Sequence, residues 1–186
     1  MRIISGSLKG KNINFLKNSK TRPLKDSVRE SIFNILKHSS LIKTKIENSN
    51  ILDLYSGIGS FGLESLSRNA KKVTFIEKDR DASKILKENL VKLSMINKSK
   101  IYTDEIEYVL INKIKGKFNI FFLDPPFSDI NFFHDLELIK KNKIFEPNHI
   151  VIIHRERKTK DNFEKLLNII VTKQYGRSKI VFGLFN

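Results

Sequence analysis

From Asn50 onward the chain alternates short apolar, β-branched runs with longer amphipathic ones, and this alternation restricts its fold more than any other feature. Repeated strand–helix units pair their strands in parallel and place helices on both faces of the sheet. The runs Ile51–Leu54, Val73–Ile76, Ile101–Tyr102, Phe118–Leu123 and His149–Ile153 read as strands. Helices are predicted near Phe61–Asn69, Asp81–Leu93, Glu105–Ile114 and Phe132–Lys141. The run Asn119-Ile-Phe-Phe-Leu123 is apolar without alternation, as a parallel strand buried on both faces requires. After a short helix predicted near Phe163–Leu167, the runs Ile169–Lys173 and Ser178–Phe185 flank Tyr175-Gly176 and read as an antiparallel hairpin. The fold class is therefore α/β and Rossmann-like, with a seven-stranded, mostly parallel sheet closed by that hairpin.

Ahead of the sheet, Pro23 is placed to start a helix whose apolar stripe is Val28, Ile32, Ile35 and Leu36, with Arg29 and Asn34 away from its middle. Residues 1–48 form an N-terminal basic extension and helix, and 49–186 the sheet unit, the two making one structural unit. A chain of 186 residues that is 40% hydrophobic is long enough for one sizeable core. With no cysteine it has neither disulfides nor thiolate metal sites, and its four histidines lack metal-ligand spacing. His149 and His154 read as strand-end surface residues. Met1 to Gly10 lacks the apolar run of a signal peptide, and no stretch is long and apolar enough to cross a bilayer, so a cytoplasmic protein without a membrane partner is expected, acting as a monomer.

Lysine and arginine number 35 against 20 acidic residues, a net charge of +15, which points to a polyanionic partner. Any single lysine can simply be solvated surface. Position is more telling: Lys9, Lys11, Lys17, Lys20, Arg22, Lys25 and Arg29 crowd into the first thirty residues against Asp26 and Glu30, a basic arm suited to RNA phosphate.

Ligands of open α/β sheets bind beyond the carboxyl ends of the strands, where this sequence places a series of chemically active residues. The first strand runs into Asp53-Leu-Tyr55-Ser-Gly57-Ile-Gly59-Ser-Phe-Gly62, the second into Glu77, the third into Asp104, and the fourth into Asp124-Pro125-Pro126-Phe127. Glycines let the backbone approach a ligand, and an acidic residue after the next strand can accept ribose hydroxyls. That much also fits a nicotinamide dinucleotide. Asp53 beside the glycine turn tilts the choice to S-adenosylmethionine, because a carboxylate suits an ammonium and a sulfonium and repels a pyrophosphate. Asp104 can accept from an adenine amino group or cap a helix. In Asp124-Pro125-Pro126-Phe127 the prolines rigidify the backbone and offer carbonyls without donors. Asp124 and the Pro125 carbonyl can each accept one N–H of an exocyclic base amine, aiming its lone pair at a methyl donor. Phe127 can stack on the unstacked base.

These motifs, in this order, resemble the bacterial 16S rRNA (guanine(966)-N(2))-methyltransferases, the RsmD type. The resemblance runs through Arg2-Ile-Ile-Ser-Gly6, Lys9-Gly10-Lys11, Thr21-Arg22-Pro23, Asp26-Ser-Val-Arg-Glu30, Phe33-Asn34, Leu52 to Arg68, Ile76-Glu77, Asp124 to Phe127 and Tyr175-Gly176. It implies a class I S-adenosylmethionine-dependent methyltransferase that modifies N2 of a guanine in 16S rRNA within an assembling small-subunit particle. It also implies cofactor roles for Asp53, Tyr55, Gly57, Gly59, Glu77 and Asp104, a catalytic role for Asp124, Pro125, Pro126 and Phe127, and RNA contacts or closure over the cofactor for Arg22 and Arg29, beside RNA contacts for Lys9 and Lys11. Leu24 stands where the family commonly has threonine, and Glu156 lies two positions beyond the place where relatives often carry glutamate, so that region receives no role. Competing readings are a DNA adenine or cytosine amino-methyltransferase, an NAD-dependent oxidoreductase that leaves Asp124-Pro125-Pro126 unexplained, and a noncatalytic RNA-binding module.

Overall fold

A computed structural model describes residues 1–15 and 24–186. Lys17, Lys20, Arg22 and Pro23 lie outside the described residues. The elements in order are α1 (Asp26–His38), β1 (Asn50–Leu54), α2 (Ser60–Ser67), β2 (Lys72–Ile76), α3 (Arg80–Lys92), β3 (Ser99–Tyr102), α4 (Ile106–Asn112), β4 (Phe118–Leu123), α5 (Phe132–Lys141), β5 (Phe145–Glu156), β6 (Leu167–Tyr175) and β7 (Ser178–Phe185). They build a seven-stranded sheet in the order β3-β2-β1-β4-β5-β7-β6. Pairing is parallel from β3 through β5 and antiparallel from β5 to β7 to β6. The hairpin turns on Gly176, at φ 57.

Alternate strand residues feed two apolar layers. On one face Ile51, Ile120 and Ile150 pack with α1, α2 and α3 and with Ile3 and Ile13 of the N-terminal arm; on the other Leu52, Phe121 and Val151 pack with α4 and α5. Phe61 stacks between Phe33 and Phe122, with ring centroids 5.1 and 4.1 Å away. Truncating such a ring to alanine costs roughly 3–5 kcal/mol.

Three local expectations are corrected. Residues 163–167 form a turn rather than a helix: the buried Phe163 packs on Phe133 at 5.4 Å, and Leu167 is drawn into β6 by pairing with Phe185. Strand β5 runs well past both ends of the apolar run, because Phe145 pairs with Phe118 of β4 at its start and β7 pairs with it through Glu156 at its end. His149 is buried, its Nδ1 donating to Glu146 O at 2.7 Å and its Nε2 accepting from Phe185 N at 2.9 Å, and burial lowers its pKa.

The arm folds back on itself through the Arg2–Asn12 bridge and docks on α2. Glu64, fully buried, accepts from the amides of Ile4 and Ser5 at 2.8 and 2.9 Å, while Ser67 O accepts from Ser7 N at 2.8 Å. This docking covers the α1 face that carries Arg29. The expected phosphate contact of Arg29 is therefore corrected: its side chain is wholly buried, donating through Nη2 to Arg2 O at 2.6 Å and to Asp26 at 2.9 Å. Leu24, at the family's threonine position, is a core residue.

Candidate active site

Strand register aligns the site. Tyr102, Ile76, Leu54, Leu123 and Ile153 form one row across five strands. The next residue in each strand is Thr103, Glu77, Tyr55, Asp124 and His154, so one pairing register brings four of the chemically active groups to a common edge. Asp53 lies on β1, two residues before Tyr55. Strands β1 to β4 stop here, whereas β5 continues for three residues, paired with β7, and walls one side.

On the β1–β2 side the backbone amides of the glycine turn are engaged by carboxylates. Gly57 N donates to Glu77 Oε2 at 2.7 Å, Asp79 N to Glu77 Oε1 at 2.8 Å, and Gly62 N to Asp53 Oδ2 at 3.0 Å. A Cβ on Gly62 would lie 2.2 Å from the Phe75 ring and 2.9 Å from Asp53, so this glycine is required by packing. Gly57 is different: at φ +53 a Cβ there would meet nothing within 4 Å, leaving its face open to a ligand. Asp53 Oδ1 is buried with no hydrogen-bond donor among the described residues. Burial holds the Asp53 carboxyl well above its usual range, and the nearby charges of Asp124 and Glu77 add to the effect. Burial raises Glu77 as well, against the bonds from Asp79 and Gly57. A buried carboxylate with an unused oxygen and two further carboxylates near it form a locus suited to a cation.

Tyr55 follows β1 with a left-handed φ of 57 and points its hydroxyl at α5, donating to Asp135 at 2.6 Å. Burial raises the Tyr55 pKa and lifts Asp135 to about 6. Asp104 is exposed, with one oxygen accepting from Glu105 N at 3.0 Å just ahead of α4.

On the β4–β5 side the Asp124-Pro125-Pro126-Phe127 segment is held at three points by two consecutive residues of β5. His154 Nδ1 lies 2.7 Å from Asp124 Oδ1. Arg155, 1% exposed, donates to Pro126 O and Phe127 O, each at 3.0 Å, and its guanidinium sits 4.5 Å from the Phe132 ring centre. Asp161 completes that anchor at 3.4 Å from Arg155 and 3.3 Å from Lys179. Burial works against the Asp161 charge, but the bonds from Thr159 and Arg155 and the cations beside it outweigh burial and lower its pKa. Asp124 Oδ2 and Pro125 O are among the acceptors of the motif that carry no protein donor among the described residues. Phe127, 38% exposed, presents its ring at the rim with His154 packed edge-on at 5.5 Å.

His154 is thus corrected from a surface residue to a partner of Asp124. His154, Arg155, Asp135 and Ser178 were missed in the sequence because they sit inside strand or helix patterns, and only register brings them to the site. Lys9 and Lys11 are exposed on the folded arm.

A glycine turn after the first strand, acidic residues at the next strand ends and Asp-Pro-Pro-Phe after the fourth, on a sheet of this order, define the class I methyltransferases. The solved structure of the ribosomal protein L11 methylase of Lactobacillus delbrueckii subsp. bulgaricus shares the fold, at TM-score 0.65 and 13% identity over 86% of this chain and 77% of that one. Over all of this chain and 97% of its own, the Escherichia coli protein yhhF is similar with a TM-score of 0.84 and 27% identity. The family model described as "Conserved hypothetical protein 95" matches residues 1–184. Ribosomal RNA small subunit methyltransferase D of Buchnera aphidicola subsp. Baizongia pistaciae is 31% identical over 185 residues, 100% of this chain and 91% of that one. Its namesake in Haemophilus influenzae is 33% identical over 159 residues, 84% and 79% of the two chains. The chain belongs to this family of ribosomal RNA small subunit methyltransferase D proteins.

Proposed function

We propose that the protein methylates the exocyclic N2 of a guanine in 16S rRNA of an assembling small ribosomal subunit, working as a monomer in the cytoplasm. The observation that carries this reading is the pair of unengaged acceptors, Asp124 Oδ2 and Pro125 O, on a segment whose Pro126 and Phe127 carbonyls are fixed by Arg155. A primary amine conjugated to a base has two protons and a delocalised lone pair. Two acceptors in fixed positions take both protons and direct the lone pair, which is the alignment in-line displacement needs. S-adenosylmethionine, when bound, supplies the methyl group on a cationic sulfur. Asp53, through its unused oxygen, would hold the ammonium end; Glu77 the ribose, using lone pairs its two amide bonds leave free; Asp104 the adenine amino group. Gly57 and Gly59 keep the turn close, and Tyr55 braces it against α5. Accepting that methyl group would leave the amine cationic. Asp124 Oδ2 is placed to receive the proton it must lose. Phe127 would cover the flipped base, with Pro126 fixing its approach, and Lys9 and Lys11 would contact phosphate. Arg22 belongs to the same basic arm.

The dinucleotide reading is disfavoured by the carboxylates that engage the glycine-turn amides, since a pyrophosphate would face Asp53 and Glu77 where it needs free donors. The test is transfer from methyl-labelled S-adenosylmethionine to under-modified small subunits, free 16S rRNA and duplex DNA, with the base mapped. Label on guanine N2 of the particle is expected. Label only in DNA replaces this reading by the amino-methyltransferase of DNA, and cofactor binding without transfer to any acceptor contradicts it.

A further inference from the structure

We propose that His154 is a positioning residue for methyl transfer, fixing which oxygen of Asp124 meets the substrate amine; the inference rests on the reading of Asp124 as the amine acceptor. His154 follows Ile153, the register partner of Leu123, so its ring stands beside Asp124 and not beyond it. The imidazole is pinned on both sides: Nδ1 is 2.7 Å from Asp124 Oδ1, and Nε2 is 2.9 Å from Ser178 Oγ on β7. It is 8% exposed, with Phe127 packed edge-on against it.

A carboxylate only accepts, so the ring nitrogen facing Asp124 must carry a proton. In the neutral ring Nε2 is then an acceptor, and Ser178 supplies its hydroxyl proton. Asp124 therefore selects the tautomer, His154 delivers the donor, and the Ser178 hydroxyl satisfies the second ring nitrogen. The consequence is geometric. A free carboxylate rotates about Cβ–Cγ and presents either oxygen; with Oδ1 tied to Nδ1, Oδ2 is left as the acceptor. Arg155, one residue on, takes Pro126 O and Phe127 O out of competition in the same way, so Asp124 Oδ2 and Pro125 O stay available for an amine with two protons.

Two substitutions separate positioning from packing. In His154→Asn the side-chain amide nitrogen falls near the place of Nδ1 and can still donate to Asp124. In His154→Gln it falls near the place of Nε2 and reaches Ser178, although glutamine fills more of the volume. Transfer to guanine under single turnover is expected to slow about 10- to 100-fold in His154→Gln, the loss of one bond to a charged acceptor at a reacting group. His154→Asn should recover to within about fivefold of the parent protein, because it restores that bond. Cofactor affinity, measured by calorimetry with S-adenosylhomocysteine, should be unchanged in both. If glutamine supports transfer as well as or better than asparagine, or if neither substitution slows it, the positioning role is overturned. A parent protein that transfers no methyl group overturns the functional reading and this inference with it, a result visible before any variant is made. Independently of variant folding, nitrogen NMR of the histidine-labelled parent protein should show the His154 ring protonated at Nδ1. A neutral ring protonated at Nε2 overturns the proposal.

Discussion

Two arginines are buried to the same extent, Arg29 at 0% and Arg155 at 1% exposure, and both grip backbone carbonyls of a segment that approaches from outside the sheet. Their surroundings differ. Arg155 holds two consecutive carbonyls, stacks on Phe132 and faces Asp161, whose ionised form is favoured. Arg29 holds one carbonyl, that of Arg2, and lies 3.9 Å from Glu64, while its Nε and Nη1 find no hydrogen-bond acceptor among the described residues. Burial, the largest influence, pulls its pKa down against the attraction of Glu64 and Asp26. A guanidinium with its donors matched holds a loop in one geometry, because its planar fork is pre-organised. One only partly matched clasps a segment without fixing it so closely. The first belongs where two acceptors must be held for chemistry; the second suffices to keep a basic arm on α2.

This contrast can be broken experimentally, and the largest effect belongs to Arg155. Arg155→Met leaves Asp161 with Lys179 and the Thr159 hydroxyl and frees the Pro126 and Phe127 carbonyls; urea unfolding should show a loss of about 3–5 kcal/mol. Arg155→Lys cannot hold both carbonyls, and kcat should fall about 100-fold with cofactor affinity retained. Equal activity in Arg155→Lys would mean the bracket is not needed. Arg29→Met should cost about 2–3 kcal/mol, less than Arg155→Met because Glu64 keeps Arg68 and the Ile4 and Ser5 amides. Its transfer rate at a temperature where it is folded should match the parent's. A selective, salt-dependent loss of RNA binding in a fully stable Arg29→Met would return this residue to phosphate recognition.

A smaller effect sharpens the contrast on the cofactor side. Asp135 has its pKa lifted from 3.8 to about 6, so the folded state holds its proton more tightly than the unfolded chain. The stability this gives is complete below pH 3.8 and is lost as pH rises towards 6. Asp135→Asn, which can still accept from Tyr55, should therefore equal the parent near pH 3.8 and exceed it by about 1–2 kcal/mol at pH 7. Calorimetric melts at the two pH values measure this, and a parent protein whose advantage grows with pH would reverse the sign. The smallest effect is expected for Lys9→Ala with Lys11→Ala. RNA affinity should fall a few-fold at moderate salt, and the slope against log salt should drop by about 0.7 for each lost single-strand phosphate contact.

The sheet was legible from residue 50 onward because parallel strands buried on both faces carry no alternation and their helices do. The hairpin was legible from two β-rich runs split at Tyr175-Gly176. The predicted helix at 163–167 did not form because its apolar residues serve the packing of Phe163 and the β6 ladder. In the site, Asp53, Glu77 and Asp124 were legible because the chain announces strand ends by a change from apolar to acidic. Arg155 and His154 were hidden by the converse: β5 does not end where its neighbours do, so two residues of the candidate site read as an ordinary strand tail. Arg29 misled because charge on an amphipathic helix ordinarily faces water, and nothing local signals that Met1 to Ser5 folds over it.

The central claim is that Asp124 orients the reacting amine while the carboxylates of β1 and β2 serve the cofactor. It is tested most directly by Asp124→Ala, assayed for single-turnover methyl transfer to under-modified small subunits alongside calorimetric binding of S-adenosylhomocysteine. Transfer is expected to fall by a factor of about 10³ or more, with cofactor affinity nearly unchanged. Transfer at the parent rate, or a loss that tracks lost cofactor binding, would contradict it.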